Sequence, residues 1–281
     1  MRAVGLIGRK SGIAPVLIQA PGATLAGIAH LAKGAPTSTV AALIVAGAPQ
    51  TRVGAHGGFA HLAGALAEAG VPCLRFDRRG LGDSDGDDPG FHTIAPDIAA
   101  ALAALRHTFP SVRRVIGIGL CDGAAALLLA PAAFDALILL NPWTRDETTA
   151  TTMPPRAALA ARYRSRFRSP AAWRDLLRGR VNFAKIARGL RHLLKRDELS
   201  SIARVTASNL ARYPGRARII LAERDNTAQA FAALWQTPLF ARARAHNRAE
   251  LRWIAGATHT FAGGAASKAL ADAAVEFARA V

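Results

Sequence analysis

Five short, mostly apolar runs constrain this chain more than any other feature: Val40–Ala46, Val71–Phe76, Val112–Ile118, Ala136–Leu140 and Arg218–Ala222. Their apolar residues follow one another without the period-two alternation of a half-exposed strand, as expected of strands buried on both faces. Between them lie segments with apolar residues at three- and four-residue spacing. One runs over Gly57–Ala69; another, over Thr93–His107, carries Ile94, Ile98, Ala101, Leu102 and Leu105. A third begins at Asp122 and reaches Ala130, and Ala265–Ala280 closes the chain in the same way. Strands that alternate with helices call for a mostly parallel sheet covered on both sides. Pro15–Gln19 and Thr24–Leu31, which turn at Pro21-Gly22, and Glu250–Ile254 bring the expected strands to eight.

The run that ends at Ile118 leads into Gly119-Leu120-Cys121-Asp122-Gly123 and then an alanine-rich helical pattern. A G-x-C-x-G sequence between strand and helix holds its central residue in a strained turn with the side chain raised clear of the sheet. The small residues on either side are required because strand and helix approach closely there. Cys121 is therefore the candidate nucleophile. A thiol needs a base, and the base needs a third group to orient it. Both follow in chain order, each just past a strand. Asp225 lies after Ile219-Ile220-Leu221-Ala222, and His259 lies in Gly256-Ala257-Thr258-His259-Thr260-Phe261 after Leu251–Ile254. In this reading Cys121 attacks an acyl carbon, His259 shuttles the proton, and Asp225 holds the imidazole tautomer and stabilises its charged form. Two backbone N–H groups must face the oxyanion. One is expected from Asp122, at a helix start whose dipole also favours a thiolate. The other is expected from the loop after Val40–Ala46: Pro49 has no N–H, which leaves Gln50 first and Ala48 second.

Each residue also has a plainer reading. Cys121 reads as a small core residue, as Cys73 does inside its strand; Asp225 reads as a helix N-cap, and His259 as a loop histidine. Gly82-Asp83-Ser84-Asp85-Gly86 satisfies G-x-S-x-G literally, but no strand runs directly into it and its Asp and Gly residues make it a loop. Ser84 is not the nucleophile, and Asp77, Arg78 and Gly80 organise that loop.

The chain carries 36 Lys+Arg against 19 Asp+Glu, a formal charge of +17. Residues 143–216 hold seventeen of the basic and five of the acidic residues, with helical patterns and no buried strand. That segment reads as a helical, basic cap inserted between two parts of one core domain, 1–142 and 217–281. Its charge favours an anionic polysaccharide or a membrane surface, with no specific nucleic-acid signature. The two cysteines do not make a disulfide framework, and no Cys/His cluster has metal-ligand spacing. No metal or organic cofactor is implied. No stretch approaches the roughly 18–20 apolar residues of a membrane span, and Pro15, Pro21 and Gly22 interrupt residues 1–33, so a cytoplasmic protein is expected.

These motifs resemble the α/β-hydrolase superfamily, in the Asp77-Arg78-Arg79-Gly80-x-Gly82-x-Ser84 loop, the cysteine elbow, Asp225 and His259. The elbow is similar to that of dienelactone hydrolases and polyhydroxyalkanoate synthases, whose triads are Cys-Asp-His. A closer resemblance is to exosortase A system-associated hydrolase 1. It rests on Gly47-Ala48-Pro49-Gln50-Thr51-Arg52-Val53-Gly54, Leu74-Arg75-Phe76-Asp77, Gly119–Gly123 and Asn141-Pro142-Trp143. Trp173-Arg174-Asp175-Leu176-Leu177-Arg178-Gly179, Arg224-Asp225-Asn226-Thr227-Ala228-Gln229 and His259-Thr260-Phe261 extend it. The resemblance implies an α/β-hydrolase fold and links the chain with exopolysaccharide and protein-sorting gene sets. The expected activity is hydrolysis of an ester, lactone or thioester through an acyl-cysteine. The alternatives are an acyltransferase with the same triad and a non-catalytic protein that binds anionic polymers.

Overall fold

The computed structural model describes residues 12–33, 38–145, 199–245 and 248–281. Within them lie β1 (Ile13–Ala20), β2 (Ala23–His30), β3 (Val40–Val45), β4 (Cys73–Phe76), β5 (Arg114–Leu120), β6 (Ala136–Leu140), β7 (Arg216–Ala222) and β8 (Ala249–Ile254). They form a single sheet in the order β1-β2-β4-β3-β5-β6-β7-β8. The pairs β1–β2 and β2–β4 are antiparallel, and every pairing from β4 through β8 is parallel. The expected α/β architecture with eight strands is what the chain forms.

The lack of alternation in the sequence now has its cause. Along β3, Ala41, Leu43 and Val45 enter one core cluster while Ala42 and Ile44 enter another. The first cluster lies under α2 (Ala95–Thr108), α3 (Asp122–Leu129), α4 (Ser201–Arg212) and α5 (Asn226–Trp235). The second lies under α1 (Gly58–Glu68) and α7 (Gly264–Arg279), while the short α6 (Ala241–Ala245) packs beside α4. Burying each Leu or Ile in these layers contributes on the order of 1.5–3 kcal/mol over leaving it exposed.

Two boundaries differ from the sequence reading, and both bear on the site. The central strand runs over Arg114–Leu120 instead of Val112–Ile118, because Gly119 and Leu120 continue the ladder to Val45, Leu139 and Leu140. The strand therefore runs directly into Cys121. Helix α4, whose basic composition placed it with the cap, buries Ile202, Ala207 and Leu210 in the core. Ser200 begins it, accepting the Ala203 N–H at 3.0 Å while its own hydroxyl donates to Thr144 O. The two ends of the intervening stretch are thus tied together. Of the expected insertion, residues 146–198, including the Trp173–Gly179 motif, lie outside the described residues.

Parallel strands place all their carboxyl ends on one edge of the sheet, where ligands of such sheets bind. The loops after β3, β5, β6, β7 and β8 meet there.

Candidate active site

Cys121 alone spans the turn from β5 to α3, at φ 58° and ψ −119°. A non-glycine residue in so sparsely populated a region costs on the order of 1–3 kcal/mol and persists only when its neighbours hold it there. Three hydrogen bonds do so. The Cys121 N–H donates to Leu140 O at 2.9 Å, and its carbonyl accepts from Ala125 N–H and Trp143 N–H, both at 3.1 Å. The flanking glycines are sterically required. A Cβ on Gly119 would stand 2.7 Å from the Ala124 nitrogen, and one on Gly123 would stand 2.4 Å from Val45 O. Both obstacles are backbone atoms, which cannot swing aside. The residue is partly exposed.

Asp225 lies just past the end of β7, after Glu223 and Arg224, and is 8% exposed. One of its oxygens, Oδ2, accepts the Ala228 N–H at 2.9 Å, which caps α5, and the same oxygen lies 3.0 Å from His259 Nδ1. The N-cap reading of Asp225 is what the structure shows, and the oxygen that makes the cap bond is the same one that faces the His259 ring. The Cys121 thiol lies close enough to act on the His259 ring, so the structure brings together the three residues expected from their order in the chain. The pKa of His259 is pushed up to about 10, first by Asp225 beside its Nδ1 and then by the neighbouring Cys121; burial acts in the opposite direction. At neutral pH the ring therefore carries its proton.

A fourth residue holds this arrangement, and the sequence reading assigned it no role. Asn141, fully buried at the end of β6, adopts φ 43°. Its Oδ1 accepts the Ala222 N–H at 2.8 Å, and its Nδ2 donates to His259 O at 2.8 Å. The ends of β6 and β7 and the histidine loop are thereby tied at one point. The available signal was an asparagine directly after an apolar strand, since Asn accepts left-handed backbone more readily than most residues.

Of the two donors expected for an oxyanion, the Asp122 N–H opens α3 and has no acceptor among the described residues. Gln50 is placed differently from Asp122. Its N–H closes a turn onto Gly47 O at 2.8 Å and its Oε1 accepts the Ala55 N–H at 3.1 Å, so its backbone donor is already engaged. The N–H of Ala48 points to the elbow and donates to Asp122 Oδ2, but at a longer 3.2 Å. A narrow cleft beside the histidine loop is lined by Gln50, Phe59, Leu120, Leu140 and Phe261. Ser84 serves its own loop, where its hydroxyl donates to Asp77 O at 2.8 Å and accepts the Ala26 N–H at 2.9 Å. No helix starts there. Cys73 is fully buried, which pushes its thiol up to about 12. Among the described residues, no group of three or more His, Cys, Asp or Glu could hold a metal ion, and no helix is long and apolar enough to cross a membrane.

A model of the alpha/beta hydrolase family matches residues 42–273. No curated protein matches the chain. Among solved structures, an esterase from Pyrococcus furiosus superposes with a TM-score of 0.62 at 16% identity, over 99% of this chain and 96% of its own. Est1E from Butyrivibrio proteoclasticus, with ferulic acid bound, gives 0.60 at 18% identity over 93% and 97%. An alpha-beta serine hydrolase homologue from Coxiella burnetii gives 0.58 at 17% identity over 94% and 96%. At these identities the likeness is one of fold.

Proposed function

Because the chain belongs to the alpha/beta hydrolase family of enzymes, we propose that it hydrolyses an ester, lactone or thioester through an acyl group carried on Cys121. The observation that supports this reading most is the contiguity of Cys121, His259 and Asp225 at the carboxyl edge of the sheet, with Cys121 in an elbow backbone conformation. The Cys121 sulfur, its proton held on His259, attacks the acyl carbon. An S–C bond forms, and the carbonyl π pair moves onto oxygen, against the N–H donors of Asp122 and the β3 loop. Collapse of this intermediate breaks the bond to the leaving oxygen or sulfur, and His259 supplies the proton that the leaving group needs. Neutral His259 then takes a proton from water as the water oxygen attacks the thioester. The S–C bond breaks, the carboxylic acid departs, and the sulfur and ring return to their starting state. Throughout, Asp225 keeps Nδ1 as the donor side of the ring.

The resemblance of Gly47–Gly54, Gly119–Gly123 and Arg224–Gln229 to exosortase A system-associated hydrolases supports a role beside exopolysaccharide metabolism. The two unpaired cysteines fit a reducing, cytoplasmic setting. The basic stretch after Trp143 supports contact with an anionic polysaccharide or membrane surface. The test of the activity is 4-nitrophenolate release from 4-nitrophenyl acetate. The wild type turns over, whereas Cys121→Ala and His259→Ala do not; full activity in Cys121→Ala would sink the proposal. Faster acyl-enzyme decay on adding a polysaccharide acceptor would move the assignment to an acyltransferase.

A further inference from the structure

The loop after β3 crosses the nucleophile with almost no space between them. A Cβ on Gly47 would lie 2.4 Å from Asp122 Oδ1 and 3.4 Å from the Cys121 Cβ. The Asp122 side chain folds back from the first turn of α3 to lie against this loop. Its Oδ2 accepts the Ala48 N–H at 3.2 Å and Arg78 Nη1 at 2.9 Å. Arg78 is 1% exposed, and its Nη2 grips both Asp88 oxygens at 2.8 and 2.9 Å. A chain of charges, Asp88–Arg78–Asp122, thus runs from the loop after β4 to the residue next to the nucleophile.

We propose that Asp122 is a positioning residue for the reaction at Cys121: its carboxylate, tethered by Arg78, holds the β3 loop so that the Ala48 N–H stands as the second oxyanion donor. This rests on the acyl-cysteine reading and deepens it. Three observations carry it. First, Gln50, the other donor that the sequence offered, spends its N–H on Gly47 O. Second, the Ala48 contact at 3.2 Å is longer than the roughly 2.7–2.9 Å of a charge-assisted bond, so the same N–H has room for a second acceptor in a three-centre arrangement. Third, Asp122 Oδ1 and Arg78 Nε are buried without a hydrogen-bond partner among the described residues. A buried ion pair with unmet groups is a poor device for stability, so its place beside the nucleophile calls for another explanation. Arg78 also supplies the charge that keeps Asp122 from opposing the anion forming on the substrate.

Two reactions of the same thiol separate this role from a structural one. Alkylation by iodoacetamide forms an S–C bond and expels iodide, and no oxyanion develops. Acetylation by 4-nitrophenyl acetate forms an S–C bond at a carbonyl carbon and expels 4-nitrophenolate, and an oxyanion does develop. Loss of one oxyanion donor costs about 10²–10³-fold, so a donor left in place but unheld should cost about 10–100-fold. Asp122→Ala is expected to slow acetylation by that factor and leave alkylation within about twofold. Asp122→Asn keeps an oxygen for the Ala48 N–H and recovers most of the loss. Arg78→Lys, which can reach one carboxylate but not both, slows acetylation with alkylation retained, and it serves if Asp122→Ala does not fold. The proposal is overturned if Asp122→Ala slows both reactions alike, if it speeds acetylation, or if Asp122→Asn is no better than Asp122→Ala. A wild type that alkylates at Cys121 but never acetylates overturns the acyl-cysteine reading itself, and this proposal falls with it.

Discussion

Replacing Asn141 with alanine should damage stability and catalysis together, by amounts the structure sets. The amide makes two buried bonds of 2.8 Å, one from the Ala222 N–H and one to His259 O. Alanine leaves both backbone groups without partners, at about 1–3 kcal/mol each. It also sits at φ 43°, where a residue with a Cβ and no local polar side chain pays roughly 1–2 kcal/mol. A mid-range loss is about 5 kcal/mol, a large part of the ~5–15 kcal/mol that holds a typical domain folded. At about 2–4 °C per kcal/mol for a domain near this size, the melting temperature falls by roughly 10–20 °C. Below the melt, the histidine loop has lost its tether to β6. A displacement on the order of 1 Å is worth about 10²-fold in rate, so kcat for 4-nitrophenyl acetate drops while KM holds. Isosteric Asn141→Asp keeps the bond from Ala222 but has no donor for His259 O, so its activity falls further than its stability. The assays are a thermal melt and steady-state release of 4-nitrophenolate. A melting temperature within about 3 °C of wild type, with kcat unchanged, would refute the claim that Asn141 holds the site.

Three further outcomes follow from the same geometry. The folded-state pKa of His259, about 10, lies above its ordinary 6.5, so the interaction stabilises the fold fully below pH 6.5 and is lost as pH rises toward 10. Melting temperature should decline over that interval, and the decline should shrink in Asp225→Asn, which lacks the largest cause of the shift. Ser84→Ala should retain the wild-type acetylation rate and lose about 1–3 kcal/mol, because Ala26 N–H and Asp77 O are left unpaired; denaturant melts beside the ester assay check both halves. Under native conditions iodoacetamide should label one of the two thiols, Cys121, since Cys73 is fully buried with its thiol pushed up to about 12; peptide mapping shows which, and labelling of Cys73 first would contradict the burial.

The legible parts of the molecule were those whose cause is local. A strand buried on both faces writes a continuous apolar run, and β3 and β6 appear in the sequence close to where they lie. The elbow, the acid and the histidine each follow a strand, and parallel topology alone brings such positions to one edge. The illegible parts were contacts between distant segments. Asn141 meets His259 across 118 positions, and Arg78 meets Asp122 across 44; neither leaves any periodicity in the chain. The preference for Ala48 over Gln50 as the proposed second donor rests on a single turn bond, Gln50 N–H to Gly47 O, which residue types do not encode. Helix α4 misled in another way. Its buried Ile202, Ala203, Thr206, Ala207 and Leu210 repeat at helical spacing, but the arginines on its other face gave it the composition of the basic segment, and composition does not say which surface a helix covers.

The most direct test of the acyl-cysteine mechanism is the mass of the intact protein, quenched in acid within the first turnover of 4-nitrophenyl acetate and then mapped by peptide. The mechanism predicts one acetyl group per chain on Cys121, none in Cys121→Ala, and a longer-lived adduct when His259→Ala acquires one at all. An acetyl group on another residue, or burst release of 4-nitrophenolate that survives in Cys121→Ala, would contradict it.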